Sequence, residues 1–245
     1  MRGLNKMVIL VTGAAQGIGA AIARRLAEEG AFLALCDQNS AGVEALAIEL
    51  EKGAGQALPI TLDVAKRDAW EKAIIATLAR FGRIDGLVNN AGVTRDKSLL
   101  KMGDEDWDLV LDVNLKGAWL RCQHVVPHLK ANGGSIVNLS SESRWGQFGQ
   151  SNYASAKSGL VGLTRTVALE HGRHNIRVNA VAPGTTLTEM VLAVPEDIRN
   201  GWLTNIPLQR MAEPAEIAAS VAFLLSDEAS YVTGQILGVN GGSAL

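Results

Sequence analysis

The chain of 245 residues predicts one doubly wound α/β domain, a seven-stranded parallel sheet with helices on both faces. Three observations carry that expectation. Short apolar runs alternate with longer amphipathic stretches from end to end, as parallel strands joined by crossover helices require. A glycine-rich turn, TGAAQGIG, stands where the first apolar run gives way to the first helical pattern. No composition break, Pro/Gly-rich linker or internal repeat interrupts the alternation, so residues 1–245 read as a single domain.

In order, MVILVTG reads as the first strand and AAIARRLAEEG as the first helix, closed by a glycine C-cap signal. AFLALCD and AGVEALAIELEKG form the next strand and helix, and ALPITLD and AWEKAIIATLARFG the third pair. DGLVNNAG is the fourth strand; a helix from about Glu105 to Lys130 then leads to the strand SIVNLSS. YASAKSGLVGLTRTVALEHG is a long helix with small residues on one face, and NIRVNAVAPG is the sixth strand. An irregular stretch from Thr185 to about Met211 precedes the helix EPAEIAASVAFLLS and the last strand, QILGVNGG. Such sheets bind ligands at the carboxyl ends of their strands, so function is sought in the strand-to-helix loops.

Hydrophobic residues at 47%, charged at 20% and aromatic at 4% describe a globular protein packed with alanine, valine and leucine, and exclude disorder and collagen. The net charge of -2 gives no basic field for nucleic acid or an anionic membrane. MVILV is far shorter than a membrane span and polar residues follow it, so neither signal peptide nor anchor is expected and a cytoplasmic location is. Cys36 and Cys122 lie far apart in apolar surroundings and read as buried thiols. His124, His128, His171 and His174 include pairs at helical spacing but no third ligand, so no metal site is expected.

Gly13, Gly17 and Gly19, with Gln16 and Ile18 among them, let the backbone turn tightly and approach a pyrophosphate favoured by the helix N-terminus. Asp37 closes the second strand, where a carboxylate accepts from both adenosine ribose hydroxyls or caps the next helix. Its charge would repel the extra phosphate of NADP, and Gln16 stands in GAAQG with no arginine in the loop; the expected cofactor is NAD. Asp63 and the backbone of Val64 are placed for the adenine amino group or for a local cap. The NNAG tetrapeptide contributes Asn90, Ala91 and Gly92, to tie strand ends together or to line the cofactor.

YASAK sets Tyr153 one helical turn before Lys157, on the same helix face. A phenol ordinarily titrates near pH 10, and an ammonium within about 4 to 6 Å favours its anion. The pair is expected to act as a general acid-base unit on an acidified phenol.

TGAAQGIG, NNAG, Asn114 in DVNLKG, the serines of NLSS, YASAK, the Pro183–Gly184 turn and TGQILGVNGG, in this order and spacing, resemble the short-chain dehydrogenase/reductase family over essentially the whole chain, a Rossmann-type fold. The resemblance implies a serine holding the substrate oxygen, Tyr153 moving the proton, Lys157 on the ribose, Asn114 on a water-linked proton path, and Thr188, after Pro183, on the nicotinamide carboxamide. The usual interval back from Tyr153 gives Ser140, whereas aligning the strand gives Ser141. Strand side chains alternate faces, and Ser141 is favoured. The implied activity is NAD-dependent interconversion of a secondary alcohol, hydroxyacyl or another small hydroxy compound, and its ketone. The general run of the chain is most similar to 3-oxoacyl-[acyl-carrier-protein] reductase-like members, which usually look built for NADP; Asp37 and Gln16 depart from that. The alternatives are a sugar or polyol dehydrogenase, an NADPH-dependent 3-oxoacyl thioester reductase, and a non-catalytic dinucleotide-binding sensor or scaffold.

The segment at about 185–211 reads as a substrate lid, with Met190, Val191, Leu192 and Trp202 covering an apolar substrate and Trp145, Gln147 and Phe148 on the other wall, or as packing against a neighbouring subunit. The small faces of GLVGLTRTVALE and EIAASVAFLL suit helix packing between subunits or within the core. Family resemblance implies a homotetramer.

Overall fold

A computed structural model describes residues 1–53 and 55–243 of the chain, without the side chains at positions 190 and 198. The strands are β1 (Val8–Thr12), β2 (Phe32–Asp37), β3 (Gln56–Thr61), β4 (Gly86–Asn89), β5 (Gly134–Leu139), β6 (Ile176–Pro183) and β7 (Ile236–Val239). They form one parallel sheet in the order β3-β2-β1-β4-β5-β6-β7. The order reverses direction between β1 and β4, and at such a switch point the strand-end loops diverge and leave a crevice.

The inner strands are covered on both faces, which explains runs such as VILVT in β1, buried at every residue, whereas the edge strands β3 and β7 are only partly covered. On one face, α1 (Gly17–Glu28), α2 (Ser40–Lys52) and α9 (Pro214–Leu225) bury Ile22, Leu26, Leu46, Val221 and Leu225. On the other, α3 (Arg67–Phe81), α5 (Gly117–Leu129) and α6 (Ser151–His171) bury Trp70, Ile74, Val125, Leu129 and Val167. Stop and start signals behave as their chemistry dictates. Gly82 ends α3 in the left-handed region at φ 77°, its N–H bonded to the Leu78 carbonyl. Pro214 opens α9, and Glu216 reaches back to the Glu213 N–H at 2.8 Å.

Two expectations need correction. The helix expected from Glu105 to Lys130 is broken into α4 (Asp104–Leu111), a π turn over Asp112–Lys116, and α5. The Asn114 side chain donates to the Val110 carbonyl, competing for a group the α-helical ladder would use. The stretch from Thr185 to Met211 is not irregular throughout: it holds α7 (Glu189–Leu192) and α8 (Glu196–Leu203). α7 is a single turn of four residues and α8 has eight, too few for an apolar period to stand out. The small face of α9 is used within the chain, where Ala218, Val221 and Ala222 pack in one cluster with Ile22 and Ala23 of α1.

Candidate active site

The glycine loop joins β1 to α1 at the switch point. Gly13 and Gly17 adopt φ 64° and 56°, and a Cβ on Gly19 would overlap the Gly13 carbonyl oxygen. Gln16 precedes α1 without capping it, and the first turn of α1 carries no acidic residue, so its N-terminal dipole is offered to an anion. Ile18, partly buried, packs against the core at that turn. Across the crevice stands Thr188, whose Cγ2 lies 3.5 Å from where a Gly17 Cβ would be.

Beside the loop, the Thr12 hydroxyl accepts from the N–H groups of Asn90 and Ala91, both at 3.0 Å, and Asn90 Nδ2 donates to the Thr12 and Gly13 carbonyls. These amides therefore tie strand ends together, one of the two roles open from sequence. Asp37 does similar work: its carboxylate accepts from Ala15 N–H at 3.1 Å and Asn39 N–H at 3.0 Å, fixing the glycine loop to the end of β2. Asn39, not Asp37, caps α2. Asp63 accepts from Ala65 N–H at 2.9 Å, and the Val64 carbonyl accepts from the Trp70 indole.

The serine register is resolved by pleat alternation. Ser140 is buried and its hydroxyl donates to the Lys157 carbonyl at 2.9 Å, so it serves the α6 backbone. Ser141 points the other way: its oxygen accepts from Ser143 N–H at 3.1 Å, and its hydroxyl lies beside the Tyr153 phenol and pulls that group's pKa down. Lys157 Nζ sits 5.3 Å from the centroid of the Tyr153 ring and donates to the Leu139 carbonyl at 2.7 Å. Asn114, with Nδ2 bonded to Val93 and Val110 carbonyls, leaves its buried Oδ1 without a partner, close against Gly92. A Cβ on Gly92 would lie 3.6 Å from Lys157 Nζ, so amide and ammonium face one small space.

The electrostatics reverse the expected acidification of the phenol. Burial pushes Tyr153 up to about 12; the Ser141 hydroxyl pulls it down, and the Asp96 carboxylate adds to the rise. Burial likewise pulls Lys157 down to about 7, and the Arg121 guanidinium pulls the same way. The ammonium is engaged by a backbone carbonyl and is partly discharged near neutral pH, so desolvation outweighs its pull on the phenol. The protein alone therefore keeps the Tyr153 phenol protonated at neutral pH.

Pro183 ends β6 opposite Val239, and a Cβ on Gly184 would press on Asn240. Leu187 N–H and the Thr185 carbonyl both pair with Ala212, so the segment expected to act as a lid is closed at its base. Within it Leu192 is 55% exposed, Val191 and Trp202 are partly buried, and the Met190 side chain lies outside the described residues. Trp145 stacks under the Arg144 guanidinium at 4.9 Å, and Phe148 is 92% exposed, with exposed Gln147 beside it; none of the three forms a closed wall. Among the described residues no group of three or more His, Cys, Asp or Glu is placed to hold a metal ion, and no helix is long and apolar enough to cross a membrane.

Sequence reasoning missed Thr12, Asp96 and Arg121. Arg121 had a visible signal: it interrupts the apolar stripe of Ala118, Cys122, Val125 and Leu129. Thr12 and Asp96 had none beyond adjacency to motifs.

The glycine cradle, the uncapped α1 terminus facing Thr188 and the orphaned Asn114 oxygen beside Lys157 fit a nicotinamide dinucleotide laid along the strand ends. Residues 13–244 match a family model described as enoyl-(acyl carrier protein) reductase. The chain is 46% identical to the 3-oxoacyl-[acyl-carrier-protein] reductase FabG of Thermotoga maritima over 98% of each chain. It is 44% identical to that of Staphylococcus epidermidis, over 98% of this chain and 99% of the relative. The crystal structure of levodione reductase superposes with a TM-score of 0.93 at 39% identity, covering 97% of both chains. The chain belongs to the short-chain dehydrogenase/reductase family of oxidoreductases.

Proposed function

We propose that this chain interconverts a secondary alcohol and its ketone by hydride transfer with NAD, on a hydroxyacyl compound or another small hydroxy compound. The observation that carries the reading is the Ser141 hydroxyl beside the Tyr153 phenol, with Lys157 5.3 Å from that ring, at the strand ends that bear the glycine loop. When bound, the dinucleotide supplies the hydride or takes it up. Ser141 orients the substrate oxygen and stabilises its developing charge. Tyr153 gives its proton to that oxygen in reduction and removes it in oxidation. Lys157 and Thr188 hold the ribose and carboxamide ends of the cofactor. Asn114 Oδ1, orphaned beside Lys157, offers an acceptor to a water-linked proton path. A phenol held at about 12 is protonated at neutral pH, the form that gives its proton in ketone reduction.

Asp37 supports NAD. Its carboxylate stands at the end of β2 with one oxygen on the glycine loop, so a ribose 2′-phosphate would meet a fixed negative charge. A second reading, an NADPH-linked 3-oxoacyl thioester reductase, draws on the names of relatives 41% to 46% identical to this chain. The test compares kcat/KM for NADH and NADPH with an acetoacetyl thioester, and with a panel of ketones, sugars and polyols. NADPH preferred on the thioester would replace the first reading with the second; cofactor binding without turnover on any substrate would leave a sensor. We further propose a cytoplasmic homotetramer, in which a second copy covers the open face of α6, where Gly162 meets open space and Leu169 is 86% exposed. Light scattering tests that assembly.

A further inference from the structure

Arg121 is a cation where the fold has no evident use for one. It lies on α5 against the sheet with 1% of its surface exposed. Its Nε donates to Asn89 Oδ1, and its Nη1 has no partner at all. No carboxylate pairs with it among the described residues. The groups that face it are Cys36 of β2 and Cys122 of its own helix, and burial pushes these thiols up to about 12 and about 11, so both are neutral. On α3, which packs against α5, Arg67, Asp68, Glu71 and Lys72 are exposed, with Arg67 turned onto Trp119. A buried charge left uncompensated is costly, and its field is poorly screened.

From Arg121 a chain of buried hydrogen bonds crosses the middle of the sheet. Asn89 Nδ2 donates to Asn138 Oδ1 at 2.7 Å, and Asn138 Nδ2 donates to Thr164 Oγ1 at 2.8 Å. Thr164 lies on α6, the helix that carries Tyr153 and Lys157. Asn138 immediately precedes Leu139, whose carbonyl holds the Lys157 ammonium. Two buried cations thus share one polar seam, and Lys157 is 4% exposed. The titratable groups facing Lys157 are Tyr153 from its own helix and Arg121 from α5; Asp96, after β4, faces the phenol.

We propose that Arg121 is a positioning residue of the acid-base pair, its uncompensated charge governing whether Lys157 keeps its proton while its hydrogen-bond chain fixes the strand that holds the ammonium. The link to catalysis rests on the reading of Lys157 given above; the link to Lys157 itself does not. The sign is fixed by electrostatics. A neighbouring cation disfavours the protonated amine, so removing it raises the pH at which Lys157 loses its proton.

Arg121→Gln keeps a donor for Asn89 and removes the charge. In protein labelled with 13C-lysine, the Lys157 Cε titration is expected to move up by about 0.5 to 1 pH unit in the Gln variant. The alkaline limb of kcat/KM for ketone reduction should move with it. Should Arg121→Gln fail to fold, Arg121→Met carries the same expectation. An unmoved Lys157 titration in the uncharged variant overturns the proposal. A titration that moves while the rate limb stays in place supports the proposal and instead removes Lys157 from the chemistry.

Discussion

Ser140 and Ser141 are adjacent hydroxyls with opposite fates, and alanine substitution separates them. Ser141→Ala removes the hydroxyl beside the Tyr153 phenol and the acceptor of Ser143 N–H. If this hydroxyl stabilises charge developing on the substrate oxygen, its loss costs about 10²- to 10³-fold in kcat, the size measured for one oxyanion donor. The site is partly solvated, so stability changes little. Ser140→Ala removes a buried donor 2.9 Å from the Lys157 carbonyl. Loss of one such net hydrogen bond costs about 1 kcal/mol. For a chain of this size that lowers Tm by about 2 to 4 °C. Because the carbonyl belongs to Lys157, kcat should fall modestly, within about 10-fold. The assay is steady-state reduction of one ketone beside thermal melts of both variants. A Ser141→Ala enzyme with near-normal kcat, beside a collapsed Ser140→Ala enzyme of unchanged Tm, would refute the pleat argument.

Tyr153→Phe should leave NADH binding, followed by cofactor fluorescence, nearly intact while turnover falls by about 10²- to 10⁴-fold; retention of a normal rate would show the proton comes from elsewhere. Asp37→Ser should raise KM for NAD about 10-fold and narrow the preference over NADP, through loss of two backbone contacts and one negative charge; an unchanged cofactor ratio in parallel kinetics would count against Asp37 as the discriminator. Lys157 gives a stability signature. Its folded pKa of about 7 lies below the ordinary lysine value, so between these values the unfolded chain binds the extra proton and stability rises with pH. Lys157→Met abolishes that linkage, so melts should show wild type gaining on the variant from pH 7 to pH 10; parallel curves would contradict the buried cation.

The comparison of sequence with structure is uneven in an instructive way. All seven strands were legible, because inner strands covered on both faces must be short apolar runs and the crossover helices announce themselves by period. The break at Asp112–Lys116 was not: it arises from an Asn114 side chain competing with the backbone, a contact with no period to read. α7 and α8 were hidden because four and eight residues are too few for an apolar period to stand out. The glycine loop, Tyr153 and Lys157 were legible because each needs a residue type at a fixed local spacing.

Local spacing along the chain thus determined the fold class, the crevice and the placement of Tyr153 and Lys157 on one helix face. Three matters were decided only by tertiary structure. The pleat of β5 chose Ser141 over Ser140 to face the phenol. Closure of the sheet under α5 and α6 stripped water from Lys157 and Arg121 and part of it from Tyr153, and so held the proton on the phenol and loosened it on the amine. Desolvation depends on everything packed around a group, whatever its distance along the chain, and a spacing rule carries no information about that.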